Sequence, residues 1–225
     1  MTLSNTQIEA LFLFVEKKQV RWYDLQTELV DHLANKIEEE LAVNPTYNFD
    51  FALQKVYASF GIFGFARIVR EKEEQVRKQN NKLWLQEFKN QFVWPNLVRS
   101  IALFFIVKIL MDFITPEYFI LLGFGTIVLH FVAQVVVTNK QKKSKKKLLI
   151  TQYQLLPGLL GFSYYHIFFN CFNFGDTEIM NTPKYYAIFI VIYLTTLSYY
   201  VSSKVASNIY AKAKKLYPEA FKIAH

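Results

Sequence analysis

The chain has 225 residues, 52% of them hydrophobic and 17% aromatic, and carries a net charge of +8. Its single cysteine, Cys171, excludes an internal disulfide and has no neighbours at metal-ligand spacing. Of 26 Lys and Arg, 12 lie at or before Trp94, against 13 of the 18 Asp and Glu, so the basic surplus belongs to the rest of the chain, where the long apolar runs also sit. That interleaving points to membrane topology and disfavours nucleic acid as the partner of the positive charge.

At the N-terminus the apolar run Leu11 to Val15 is flanked by Glu9, Glu16, Lys17 and Lys18. It is shorter than the roughly 7 to 15 apolar residues of a signal peptide, so the first part is expected to stay cytoplasmic. "TQIE", Thr6 to Glu9, has the form of a capping box opening a helix with Ile8, Leu11, Phe12 and Val15 on one side. A second helix is predicted from about Trp22 to Leu41. At 100° per residue Leu25, Leu29, Val30, Leu33, Ile37 and Leu41 share an apolar arc, Glu28, Asp31, Asn35, Glu38 and Glu39 oppose it, and His32 lies at the border. "NPTYN" is a turn, Phe49 to Gly61 reads as a third helix closed by glycine, and Phe63 to Phe92 as a long charged helix, interrupted at Asn80-Asn81.

"YDLQTELVDHLANKIEEELA" followed by "FDFALQKVYASFGIFGFARIV" resembles the short helical domain known as the HAAS or permease-prefix type, found ahead of bacterial membrane segments. Glu28, Leu29, Asp31, His32, Leu33, Ile37 and Glu38 match its first element, and Phe49, Ala52, Phe60 and Gly61 its second. At "GIFGFA" the sequence departs from the Gly-(Asp/Asn)-Pro turn more usual in that group. The resemblance covers about residues 20 to 75 and implies a cytosolic sensing or docking module in a regulatory membrane protein. On that reading Glu28, Asp31, His32, Asn35, Glu38 and Glu39 form a face that docks a protein partner or a second copy. Asp31 and His32, adjacent on a helix, point about 100° apart and do not converge for catalysis. Glu28 and His32 have the spacing of a surface pair and lack the further ligands a metal needs.

Four apolar segments follow, predicted as spans at about 95–114, 117–138, 148–170 and 184–205. Each approaches the ~20 helical residues that cross a ~30 Å hydrocarbon core. Between the second and third, "NKQKKSKKK" supplies Lys140, Lys142, Lys143, Lys145, Lys146 and Lys147, and Lys204, Lys212, Lys214, Lys215 and Lys222 follow the fourth. The connections "TPE" and "NFGDTEIMNTPK" carry one lysine between them. The positive-inside rule therefore puts the lysine loop and both termini in the cytoplasm, with Trp94, Tyr118, Tyr185 and Tyr186 near the interfaces. The six lysines of the loop are topology determinants and candidate contacts for anionic lipid.

Inside the spans, Lys108 and Asp112 are spaced to neutralise each other, and Arg99 to reach the cytoplasmic surface. His130 with Gln134 and His166 with Asn170 are further polar pairs one turn apart. Interhelical hydrogen bonding accounts for them, and a polar seam for a small solute, an ion or a proton is the alternative. No Walker A, G-x-S-x-G, H-E-x-x-H, paired C-x-x-C or G-x-G-x-x-G motif occurs, and no enzyme activity, metal or cofactor is expected. The expectation is an all-α protein of the bacterial inner membrane: a cytosolic helical domain and stalk (1–92), a four-helix transmembrane bundle (93–207) and a basic cytosolic tail (208–225). It would act in regulation through protein partners, with transport as the alternative.

Overall fold

The computed structural model describes residues 2–113, 146–152 and 183–221, together with helical residues Gly125, Val128 and Val132. These residues are all-helical: α1 (Asn5–Lys17), α2 (Tyr23–Val43), α3 (Phe49–Ala58), α4 (Phe65–Asn90), α5 (Asn96–Asp112) and α6 (Pro183–Leu216), with one-turn 3₁₀ segments at Leu149–Thr151 and Pro218–Ala220. The expected second span and all but the start of the third lie outside the described residues, apart from those isolated positions. The chain forms two compact units. Among the described residues the first comprises 2–77, 146–152 and 211–221, and the second 78–113 and 183–210.

In the first unit, α1 starts at a capping box, two residues earlier than the sequence reading placed it. Ser4 accepts from the Gln7 N–H, and the Gln7 side chain accepts from the Ser4 N–H at 2.8 Å. "SNTQ" satisfies the same pattern as "TQIE", and the earlier cap satisfies N–H groups that would otherwise begin the helix unpaired. All six residues of the α2 arc are buried, with Leu33 and Ile37 fully so. They close on Leu11 and Val15 of α1, on Ala52, Leu53 and Val56 of α3, and on Phe65. Asn48 caps α3 by accepting from the Phe51 N–H at 2.8 Å.

Two glycines shape the turn after α3. Gly61 and Gly64 both take positive φ, and a Cβ on Gly64 would run into the Tyr57 hydroxyl. Between them Ile62 and Phe63 project into solvent. α4 continues unbroken through Asn80-Asn81, contrary to the expected interruption. Asparagine is only a modest helix former, and two of them do not stop a helix whose flanking Arg77, Lys78, Gln79, Lys82 and Leu83 are strong formers.

In the second unit Trp84 of α4, Val107 of α5 and Phe189, Ile192, Leu197, Val201 and Val205 of α6 are buried, and the Phe104 and Phe189 rings of α5 and α6 meet edge-on at 4.8 Å. The Trp84 indole donates to the Ser202 hydroxyl at 2.9 Å, and Lys204 pairs with Glu87. Arg99 donates to the Tyr200 hydroxyl at 3.2 Å, and Lys108 pairs with Asp112 at 2.5 Å along one face of α5. Unlike α1 to α3, α5 is apolar nearly all round and leaves Val98, Ile101, Phe105, Ile106, Ile109 and Leu110 exposed. Among the described residues no helix is long and apolar enough to cross a membrane. The 17 residues of α5 reach about 26 Å and include three charged side chains.

Candidate functional site

The geometry that stands out in the first unit is at the N-terminus of α2. Its N-cap is Trp22, which has no oxygen to offer, so the first helical N–H lacks a local side-chain partner. The Lys147 carbonyl accepts from the Tyr23 N–H at 2.8 Å instead. In return the Asp24 carboxylate accepts from the N–H groups of Leu149 and Ile150, at 2.8 and 2.9 Å. These donors open the 3₁₀ turn Leu149–Thr151, so two helical starts, 125 residues apart in the chain, cap each other.

Apolar packing seals this clasp. Leu148, Ala213 and Ala220 are buried, and Tyr23, Ile150, Tyr217 and Phe221 gather around them. Asp24 keeps only 9% of its surface. A carboxylate with so little water is tolerated because charge-assisted donors replace the lost solvent and the helix N-terminus favours a negative group. Burial pushes the Tyr217 phenol above its ordinary value, with the charges of Asp24 and Glu28 adding to the effect.

The structure also sorts the acidic face of α2. Glu28 pairs with Lys72 of α4 at 2.6 Å, in place of the expected interaction with His32, whose ring meets Phe60 edge-on at 6.1 Å. The Lys72 ammonium, reaching across from α4, is the partner Glu28 takes. Glu38 accepts from the Leu3 N–H at 2.9 Å. Glu40, on the border of this face, pairs with Lys55 at 2.5 Å, and that bond raises the lysine pKa above its ordinary value. Asp31, Asn35 and Glu39 are exposed and make no such bond among the described residues. The exposed part of the acidic face is thus Asp31, His32, Asn35 and Glu39.

Of the anionic-lipid candidates, Lys146 and Lys147 are described. The Lys146 ammonium stands 3.9 Å over the Tyr23 ring. Lys140, Lys142, Lys143 and Lys145 lie outside the described residues, as do His130, Gln134, His166 and Asn170. Sequence reasoning missed Asp24. Its signals were present, an acid in the first turn of a helix whose cap position holds no polar cap, but nothing local names the donors. Leu148 to Thr151, expected at the start of the third span, meet the start of α2 through the Leu149 and Ile150 N–H groups.

Compared with models of known protein families, with curated proteins and with solved structures, the chain matches none.

Proposed function

We propose that this chain is a multi-pass protein of the bacterial inner membrane whose cytosolic helical domain docks protein partners in a regulatory role, as the HAAS-type resemblance implies. The observation that carries this reading is the clasp. It gathers the N-terminal helices, the end of the lysine run with the turn that follows it, and residues 211–221 into one unit, and the lysine distribution puts the lysine run and both termini on the cytoplasmic side. For those parts to meet, the long apolar stretches between them must leave and return in pairs, which suits an even number of crossings. The exposed apolar surface of α5 suits lipid better than water.

The clasp also supplies a mechanism. Leu148 to Thr151 lead directly into a long apolar segment, so a shift of that segment in the bilayer pulls on the Asp24 bonds and moves the start of α2. The open end of the acidic face then changes its presentation to a partner. Lys108 and Asp112, described members of the alternative transport seam, engage each other as a structural pair does, so the transport alternative is not adopted.

Cross-linking in intact membranes followed by mass spectrometry, comparing the native chain with an Asp31→Ala/His32→Ala variant, tests the docking role. The expected result is one discrete cross-linked partner, or a second copy of the chain, lost in the variant. Identical cross-links in both chains, or none in either, would overturn it.

A further inference from the structure

We infer that the open groove bounded by Phe12, Leu13, Arg21, Tyr23, Lys146 and Lys147 seats the headgroup of an anionic phospholipid. The groove encloses about 390 Å³ and presents three cationic side chains against one carboxylate, Glu16. Two of the cations are positioned by the fold. The Lys147 backbone is fixed by its bond to the Tyr23 N–H, and the Lys146 ammonium is held over the Tyr23 ring. Arg21, far from the lysine run in sequence, also lines the groove and adds a planar fork suited to phosphate oxygens.

The apolar side of the groove decides the class of anion. Leu13 is 67% exposed beside Phe12, an apolar ledge next to a cationic cluster, which complements an amphiphile with a charged head and a hydrocarbon neck. The Tyr23 face is occupied by Lys146, which removes the stacking platform a nucleic acid would use. Glu16, which also lines the groove, disfavours a doubly charged phosphate monoester and leaves a singly charged phosphodiester as the better fit. Only the clasp turn Leu148–Thr151 separates Lys147 from the apolar run that follows, so under the proposed membrane arrangement, on which this inference rests, the groove lies at headgroup depth. Occupancy of the groove would brace Lys146 and Lys147 and so tighten the Asp24 clasp.

The test uses the full chain in neutral detergent, titrated with phosphatidylglycerol or phosphatidylcholine and read by native mass spectrometry. Phosphatidylglycerol is expected to be retained over phosphatidylcholine, and Arg21→Gln and Lys146→Gln/Lys147→Gln to weaken it about fivefold per charge removed, from ~1 kcal/mol for each basic residue at an anionic surface. Lys214→Gln/Lys215→Gln removes two exposed charges of α6 and is expected to leave retention unchanged. Equal weakening by that control means diffuse attraction and overturns the groove. So does retention of both lipids alike, or displacement of phosphatidylglycerol by inorganic phosphate at matched ionic strength. Resistance of Leu148–Thr151 to protease in the Gln variants checks that the clasp, which uses the Lys147 backbone, is intact. Carbonate washing of native membranes tests the underlying reading separately: a chain that resists washing but shows no lipid preference overturns this inference alone, and a chain that washes off overturns both.

Discussion

Asp24 and Asp31 lie two turns apart on the same acidic face of α2, one clasped and one open. Asp24 is nearly buried and accepts two backbone N–H groups from Leu149 and Ile150, while Asp31 stands in solvent with no such partner among the described residues. The side chains are chemically identical. What separates them is that Asp24 sits in the first helical turn, where uncapped N–H groups and a favourable dipole already concentrate, so a second chain segment can be recruited there. Two turns further on, the helix backbone is self-satisfied and an acid has only its side chain to offer. The comparison leaves one end of the face structural and the other open, and it is to the open end that we propose to assign recognition.

Replacing Asp24 with Ala should test that assignment most severely. It strands two N–H donors, and at about 1 to 3 kcal/mol for each buried unsatisfied group the first unit should lose roughly 2 to 6 kcal/mol, measured by urea unfolding through Trp22 fluorescence. Faster proteolysis at Leu148–Thr151 should accompany the loss. Asp24→Asn, which retains an acceptor oxygen, should fall between the variant and the native chain. An Asp24→Ala chain as stable as the native one would show that the clasp contributes nothing.

Alkaline pH should loosen the same region more gently. The Tyr217 phenol titrates higher in the fold than its ordinary 10.0, so its contribution is complete below that value. As pH rises past 10.0 the unfolded chain releases the proton first, and stability falls until the folded group ionises as well. Hydrogen exchange of residues 211–221 should therefore accelerate through this window, and Tyr217→Phe should flatten the dependence.

Smaller effects are expected toward the open end. Lys72→Ala removes a partly exposed ion pair with Glu28 and should reduce stability by about 0.2 to 1 kcal/mol, less at high salt. Asp31→Ala should stay within about 0.5 kcal/mol of the native chain while removing the cross-linked partner. Destabilisation by Asp31→Ala comparable to that by Asp24→Ala would erase the distinction between the two ends.

Much of the first unit was legible along the chain. The arc from Leu25 to Leu41 is a periodic signal, and a helix that repeats leucine at that spacing has one economical way to bury it. Asn48 ahead of Phe49 was an equally local stop-and-start mark. The misplaced cap of α1 was a choice between two overlapping local patterns, and the supposed break at Asn80-Asn81 over-weighted a weak propensity. The candidate site was legible only in part: the acidic face was visible, its sorting into paired and open members was not. Glu28 faces Lys72 because α4 packs beside α2, a fact that no spacing within α2 contains.

Composition and periodicity by themselves determined that the described residues are helical, that α2 buries six named residues and that positive charge collects around the later apolar segments. These are properties of residues within a few turns of one another. Only the tertiary structure decided that Lys147 caps α2 and that Asp24 caps Leu149–Thr151, because the donors and acceptors lie 125 positions apart and backbone groups look alike at every position of a sequence.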